Sequence, residues 1–180
     1  MSVRKSYTSP KKIYFWTATI HKWLPLLNDD NKNMIIDYLK DLSTRGLIKV
    51  YGFVIMPNHV HFIWSLENKN GKETAKGSFL KYTAHVLLKK LKVQRIDHLV
   101  RVNKANKLHE IWQRDSLAIE LYTRSVAIQK LNYVHANPVR GKWKLSKDDI
   151  AYPFSSALYY ETGVDNFGFL NDLYEYFDGK

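Results

Sequence analysis

Residues 51–66 read Tyr51-Gly-Phe-Val-Ile-Met-Pro-Asn-His-Val-His-Phe-Ile-Trp-Ser-Leu66, two apolar runs separated by a proline-asparagine turn. Both runs are rich in β-branched and aromatic residues, which predicts two strands. Because side chains alternate between the faces of a strand, His59 and His61 share one face and the apolar residues around them take the other. The two Cβ atoms on the shared face are then about 6–7 Å apart, twice the rise of a strand.

This histidine pair has two interpretations. Two imidazoles at that separation can bind one divalent ion at about 2.1 Å each. Alternatively, both are hydrogen-bonded polar groups at the end of a sheet. A position directly after a turn, in a run that would hold both rings in place, favours the metal site. Two ligands do not complete a site, so a third must come from elsewhere in the chain.

Composition narrows the class of protein. A chain of 180 residues suits one domain, or one domain with a tail, and 45% hydrophobic residues are enough for a core. The absence of cysteine excludes disulfides, cysteine-ligated zinc and thiol catalysis, and it fits a reducing cytoplasm. No apolar run approaches the roughly 18 residues of a membrane span, and the basic N-terminus lacks the apolar stretch of a signal peptide.

Charge points to a polyanionic partner. The net charge is +11, from 28 basic and 17 acidic residues, and 14% of the residues are aromatic. Basic charge combined with aromatic rings suits single-stranded nucleic acid, whose bases stack on rings while Lys and Arg bind the phosphates. The alternative is that most of these rings belong to the core. Binding to a membrane surface is disfavoured because no strongly amphipathic basic helix is evident.

Strand and helix patterns interleave along the chain. Strands are predicted at 13–20, 47–66 and within 110–120, and helices at about 29–45, 78–91 and from Thr123 or Ser125 to Asn137-Pro138. Asn28 or Asp29 would cap the first helix and Gly46 would end it. Residues 1–12 are expected to form a basic arm, 93–106 an irregular connection and 142–180 a tail. Hairpins among interleaved helices predict an α+β fold, a central antiparallel sheet with helices packed on it.

The domain organisation follows from this pattern. We expect one domain over residues 1–145 and a C-terminal extension, 146–180, packed on the same domain.

A second group of polar residues lies in the last predicted helix. Tyr133 and Asn137 are four residues apart and therefore share one helical face. If this helix lies against the sheet near the histidines, Asn137 completes a three-ligand site with open positions for water and a phosphate oxygen. Such a mixture suits Mg²⁺ or Mn²⁺. Tyr133 would then be a nucleophile that exchanges one phosphodiester for another, without ATP. With twelve tyrosines in the chain, the alternative that Tyr133 simply packs on the sheet stays open.

These segments resemble the single-tyrosine transposases of small bacterial insertion sequences. Met56-Pro-Asn-His-Val-His-Phe-Ile-Trp64 looks like their HUH motif, in which U is a hydrophobic residue, and Tyr133-Val-His-Ala-Asn-Pro-Val-Arg140 resembles the segment with their nucleophilic tyrosine. Trp112-Gln-Arg114 and Tyr152-Pro-Phe-Ser-Ser156 look like segments of the branch associated with repetitive extragenic palindromes (REP). The resemblance covers roughly residues 13–160.

The resemblance implies a ferredoxin-like fold and a metal-dependent endonuclease and strand transferase acting on single-stranded DNA, often beside a hairpin. His59 and His61 match the paired ligands, and Tyr133 would form a 5′-phosphotyrosine linkage and leave a free 3′-OH. Asn137 stands where mobile-element members carry glutamine, so it keeps the amide oxygen but reaches one methylene less far. By helical phase His135 faces away from Tyr133 and Asn137, so it is expected to be structural or to face DNA.

Other properties stay open at the level of sequence. Relatives act as monomers or as dimers that exchange the tyrosine helix. The main alternative function is a domesticated hairpin-binding protein that no longer cuts, and a relative that starts rolling-circle replication is disfavoured by the small size. In either DNA-binding case, the predicted phosphate contacts are Lys81, Lys89, Arg114, Arg140 and Lys142.

Overall fold

The computed structural model describes residues 8–104, 106–114 and 116–179. Most of the predicted basic arm, including Arg4 and Lys5, lies outside the described residues. The strands are β1 (Ile13–Thr19), β2 (Ile48–Ile55), β3 (His59–Leu66), β4 (Lys69–Asn70), β5 (Glu73–Thr74), β6 (Arg101–Lys104), β7 (Lys107–His109) and β8 (Leu117–Glu120). The helices are α1 (Asp29–Thr44), α2 (Ala75–Val93), α3 (Arg124–Ala136), α4 (Ala157–Thr162) and α5 (Leu173–Asp178).

The central sheet has the strand order β2-β3-β1-β8, and each neighbouring pair is antiparallel. With α1 between β1 and β2 and α2 between β3 and β8, this is the ferredoxin-like β-α-β-β-α-β arrangement. The predicted α+β, ferredoxin-like fold is therefore confirmed. No helix within the described ranges is long and apolar enough to cross a membrane.

One face of the sheet is sealed by α1 and α2. Trp16 stacks on Trp64 with ring centroids 4.9 Å apart, and Phe79 from α2 packs edge-on against both rings and Phe62. All four side chains are 0–1% exposed. Burying rings of this size supplies much of the hydrophobic stabilisation of a domain.

The opposite face receives α3 at a point where glycine permits close approach. A Cβ atom placed on Gly52 of β2 would lie 2.7 Å from Leu131 Cδ1 of α3, closer than carbon atoms pack. The register of β2 against β3 also shifts between Val50 and Gly52, which marks a bulge. The missing side chain therefore lets α3 settle directly onto the sheet.

Capping residues set where the helices begin. The Asn28 side chain accepts a hydrogen bond from the Asn31 backbone N–H, and Thr123 caps α3 by accepting from the Val126 N–H. Of the two candidates for each cap, the structure selects Asn28 and Thr123. Gly46, with φ +67°, follows α1 as predicted.

The C-terminal segment extends the free edge of β2. The Ile55 N–H donates to the Phe154 carbonyl at 2.9 Å, and the Ser156 N–H donates to the Phe53 carbonyl at 3.0 Å. His135 of α3, which is 7% exposed, forms a 2.9 Å hydrogen bond between its Nε2 atom and Ser156 Oγ. The tail therefore joins both β2 and α3, while a domain boundary at residue 145 stays a prediction.

The connection after α2 differs from the expectation. Instead of being irregular throughout, it contains a 3₁₀ turn at Asp97–Val100 and the hairpin β6–β7. Glu110, which is 5% exposed, accepts from Lys104 at 3.1 Å and from Lys107 at 3.1 Å. These ion pairs to a buried carboxylate stabilise the hairpin. Its strands are polar and lack the apolar alternation from which strands are predicted.

Candidate active site

A cleft of about 590 Å³ opens on the α3 side of the sheet. It collects residues from three strands of the sheet, from α3 and from the 3₁₀ turns at His21–Trp23 and Asn137–Val139. Its lining consists of Phe15, Thr17, Trp23, His59, His61, Leu117, Ile119, Lys130, Tyr133 and Asn137. The structure thus brings the four predicted metal and nucleophile residues into one open space.

The two histidines lie side by side at the beginning of β3. Their ring centroids are 4.8 Å apart and the rings meet at 73°. In the register with β1, His61 is opposite Thr17 and His59 is opposite Thr19. Both rings therefore occupy the sheet face predicted by the alternation of side chains.

Hydrogen bonds fix the orientation of both rings. His59 Nδ1 lies 2.7 Å from Asn58 Oδ1, and the Asn58 amide nitrogen donates to the Trp23 carbonyl at 3.1 Å. Because that donation identifies Oδ1 as the atom facing the ring, Nδ1 of His59 must be the donor, which leaves the Nε2 lone pair available. His61 Nδ1 likewise lies 2.7 Å from Thr17 Oγ1.

Asn137 joins the pair from the end of α3. Its amide nitrogen donates to the Tyr133 carbonyl at 2.8 Å. Its side chain lines the same cleft as both imidazoles and raises the pKa of each. Since the nitrogen already faces Tyr133, the amide oxygen is the atom turned towards the histidines.

Both imidazoles are neutral near physiological pH. Burial is the largest cause that lowers the pKa of His61, to about 3, and burial also lowers the pKa of His59. The contact with Asn137 opposes the shift in both rings, but does not reverse it. The cleft therefore gathers two uncharged imidazoles and an amide oxygen, and His59 presents its Nε2 lone pair.

This acceptor set fits a divalent cation. Two imidazoles and an oxygen suit Mn²⁺, and the oxygen together with water suits Mg²⁺. Hydrogen bonds such as those to Asn58 and Thr17 are typical of histidines that bind metals in proteins. Within the described part of the chain, no group of three or more His, Cys, Asp or Glu residues could hold a metal, so any site here depends on the Asn137 amide.

Tyr133 lies at the edge of the histidine pair. Its ring centroid is 5.4 Å from that of His61 and 5.9 Å from that of Phe15, and the side chain is 45% exposed. Lys130, one turn earlier in α3, places its Nζ atom 5.7 Å from the centre of the Tyr133 ring. The phenol is therefore accessible, beside a cation and beside the acceptor set.

The five predicted phosphate contacts do not gather at the cleft, and none of them lines it. Lys81 and Lys89 lie on α2, across the sheet, and Lys81 is paired with Glu73 at 2.7 Å. Arg114 lines a groove between α2 and the β6–β7 hairpin, while Arg140 and Lys142 are exposed after α3. Their contact with DNA stays a prediction.

Sequence reasoning missed four residues of this site. Thr17 and Asn58 orient the histidines, Lys130 stands beside Tyr133, and Trp23 lies next to His59. Lys130 could have been found, because it precedes Tyr133 by three residues and so shares its helical face. The other three depend on strand register and on a loop without a periodic pattern.

Comparison with solved structures identifies the fold. A REP-associated tyrosine transposase solved bound to a REP hairpin is similar with a TM-score of 0.65 and 18% identity, over 96% of this chain and 93% of that one. A Deinococcus radiodurans R1 protein, provisionally named a transposase, is similar with a TM-score of 0.47 and 14% identity over 74% of this chain and 95% of that one. No family model and no curated protein matches the sequence. The predicted resemblance is confirmed at the level of architecture: this chain has the fold of a REP-associated tyrosine transposase.

Proposed function

We propose that this protein is a transposase-type enzyme, a divalent-metal-dependent endonuclease and strand transferase for single-stranded DNA beside hairpins. One observation carries the proposal. An exposed tyrosine, Tyr133, shares an open cleft with His59, His61 and Asn137, three side chains of the types that bind divalent cations. The shared fold with a transposase that binds a REP hairpin, and the net charge of +11, support DNA as the substrate.

Tyr133 is the nucleophile in this proposal. Its hydroxyl oxygen attacks the scissile phosphorus, forming a tyrosine–phosphorus bond and breaking the bond from phosphorus to the 3′ oxygen. The phenol gives up its proton to solvent, and the departing 3′ oxygen takes one to become a 3′-OH. The products are a 5′-phosphotyrosine and a free 3′ end. Attack by a 3′-OH on the phosphotyrosine reverses the step and joins strands without ATP.

Lys130 is placed to favour the attack. Its ammonium lies against the rings of both Tyr133 and Phe15, at 5.7 Å and 5.1 Å from their centres. A cation at that position stabilises negative charge on the phenol oxygen and on the phosphate that it approaches. The half-exposed tyrosine therefore has an electrostatic partner within the same helix.

His59, His61 and Asn137 would hold the divalent ion, Mg²⁺ or Mn²⁺. When bound, such an ion polarises a phosphate oxygen and offsets the charge that develops there. Asn58 and Thr17 keep the two Nε2 atoms turned into the cleft, so that the ring positions are set before DNA arrives.

A covalent-adduct assay tests the proposal. Hairpins with randomised single-stranded flanks, labelled at the 5′ or the 3′ end, are incubated with the protein and Mn²⁺. The adduct should carry the 3′ label, require the metal and disappear in Tyr133→Phe. Tyr82→Phe is a matched control, because Tyr82 is 43% exposed, close to the 45% of Tyr133, but belongs to α2 across the sheet.

Two results would contradict the proposal. An adduct that persists in Tyr133→Phe would assign the nucleophile elsewhere. Binding of hairpins without cleavage by any divalent ion would instead support the alternative of a hairpin-binding protein that no longer cuts.

A further inference from the structure

We infer that Trp23 is a stacking platform for the DNA base immediately 5′ of the scissile phosphate. The inference rests on the proposed function and adds a nucleobase subsite to it. Four observations carry the argument: the exposure of Trp23, the way its backbone is held, its place relative to the histidines and the direction in which the leaving group must depart.

Trp23 is the most exposed of the five tryptophans. It is 57% exposed, whereas Trp16, Trp64 and Trp112 are at most 6% exposed and Trp143 is partly buried. Exposure alone does not mark a binding site, but Trp23 lines the cleft together with the histidines and Tyr133. In a basic protein, such a ring beside a phosphate-binding cleft suits a nucleobase, since base–aromatic stacking works for every base.

The backbone at Trp23 is held in a conformation that non-glycine residues rarely adopt. Lys22 has φ +53° and Trp23 has φ +58°. Left-handed backbone at two successive side-chain-bearing residues costs free energy, so the surrounding structure must enforce it. The Trp23 N–H donates to the Ile20 carbonyl at 2.9 Å, and its carbonyl accepts from Asn58 at 3.1 Å. The ring is therefore presented on a fixed support.

The ring contacts place Trp23 at one end of the site and Tyr133 at the other. Trp23 packs edge-on to His59 with centroids 6.0 Å apart, His59 contacts His61 at 4.8 Å, and His61 contacts Tyr133 at 5.4 Å. The four rings thus follow one another across the cleft. A phosphate bound at the histidines lies between the tyrosine and the tryptophan.

This order fixes which base meets Trp23. In phosphoryl transfer the attacking and leaving oxygens lie roughly in line on opposite sides of phosphorus. Attack by Tyr133 from the His61 end therefore sends the 3′ leaving oxygen towards the His59 end. The nucleotide that carries this oxygen is the one 5′ of the cut, so its base is brought to Trp23.

The first experiment measures stacking without cleavage. Binding of dT12 and of a twelve-residue abasic strand is compared in EDTA for the wild type, Trp23→Ala and Trp23→Phe. We expect Trp23→Ala to bind dT12 about tenfold more weakly and Trp23→Phe to stay within about threefold of the wild type. The abasic strand should bind the wild type and Trp23→Ala equally. Tyr122→Ala removes an aromatic ring that is 77% exposed beyond the far end of β8 and should change nothing.

Equal binding of dT12 by the wild type and Trp23→Ala would overturn the inference, as would an equal loss for both strands. Because no metal and no cutting are involved, these results bear on Trp23 alone and leave the covalent-adduct assay to decide the proposed function. Absence of dT12 binding by the wild type would also overturn the inference, because stacking on Trp23 requires only a single strand. Thermal melting that matches the wild type would show that Trp23→Ala is folded.

The second experiment tests the direction. In a hairpin that the protein cleaves, one abasic nucleotide is placed either 5′ or 3′ of the cut. The 5′ abasic site should slow adduct formation about tenfold in the wild type and cause no further loss in Trp23→Ala. The 3′ site should affect both proteins alike. A 3′ abasic site that slows the wild type but not Trp23→Ala would overturn the assignment.

Discussion

The two faces of the central sheet carry similar kinds of residues but differ in how completely helices cover them. On one face, Trp16, Phe62 and Trp64 are sealed beneath α2 and are at most 1% exposed. On the other, α3 covers the sheet only partly and leaves Trp23 and Tyr133 open. The same alternating strands thus supply a close-packed core with one set of side chains and a reactive cleft with the other. Adjacent residues of β3 should therefore respond to substitution in opposite ways.

The largest contrast is expected between Phe62 and His61. Phe62→Ala leaves a cavity in the sealed face and should lower the free energy of unfolding by about 3–5 kcal/mol. His61→Ala removes one acceptor of the cleft and should abolish the metal-dependent adduct. Denaturant unfolding and the adduct assay measure the two effects. If His61→Ala lost activity only in proportion to its loss of stability, the two faces would not differ in function.

Asn58 offers a smaller test of the open face. Asn58→Ala removes the hydrogen bond that orients His59, and loss of such an outer contact typically weakens metal binding about 10–100-fold. Titration with Mn²⁺ measures the effect. Asn68→Ala is the control, because Asn68 is exposed just beyond the other end of β3 and its side chain donates to the Gly46 carbonyl, away from the cleft. Unchanged Mn²⁺ affinity in Asn58→Ala would show that His59 needs no such support.

Acid should destabilise the protein through its buried histidines. Burial lowers the pKa of His61 to about 3 and that of His135 to about 4, whereas the ordinary histidine value is 6.5. The unfolded chain therefore binds more protons between about pH 4 and 6.5, so the free energy of unfolding rises with pH in this window. Each group contributes at most about 1.4 kcal/mol per pH unit.

Denaturant unfolding at pH 4.5, 5.5 and 6.5 with a chelator present measures this slope. His61→Asn and His135→Gln should each reduce it. A slope that is unaffected by either substitution would mean that both rings titrate in the folded protein as they do in the unfolded chain, contrary to their burial.

The smallest effect concerns two lysines on opposite faces. Lys130 lies in the cleft beside Tyr133, whereas the charge of Lys81 is offset by Glu73. If Lys130 neutralises one phosphate of a single strand, Lys130→Gln should reduce the slope of log affinity against log salt by about 0.7, with less change in Lys81→Gln. Salt titrations of hairpin binding measure both. An equal change in both variants would instead support Lys81 as a DNA contact.

Much of this architecture follows from local sequence patterns. The β-forming run at 51–66, the pairs of cap candidates that include Asn28 and Thr123, and the stop at Gly46 are local signals, and the structure agrees with each. The shared face of His59 and His61 follows from strand alternation, and that of Tyr133 and Asn137 from helical spacing. The proximity of these two pairs depends on the tertiary fold, because it joins β3 to a helix about 70 residues later in the chain.

Other features have no local signal. The hairpin β6–β7 is stabilised by Lys104 and Lys107 around Glu110, and its strands show no apolar periodicity from which it could be predicted. The support of Trp23 depends on left-handed backbone at two residues that do not favour it. The pairing of 154–156 with β2 joins segments about 100 residues apart, and no turn or spacing predicts it. The contact between Thr17 and His61 depends on the register of β1 against β3, which the sequence does not show.

The most direct test of the central claim is to locate the DNA on the protein. After reaction with a cleaved hairpin and Mn²⁺, digestion with nuclease and trypsin should yield the peptide Leu131–Arg140, which contains one tyrosine. Mass spectrometry should find the remaining nucleotide on Tyr133, attached through its 5′ phosphate. A nucleotide on any other tyrosine, or a 3′-phosphate linkage, would contradict the account.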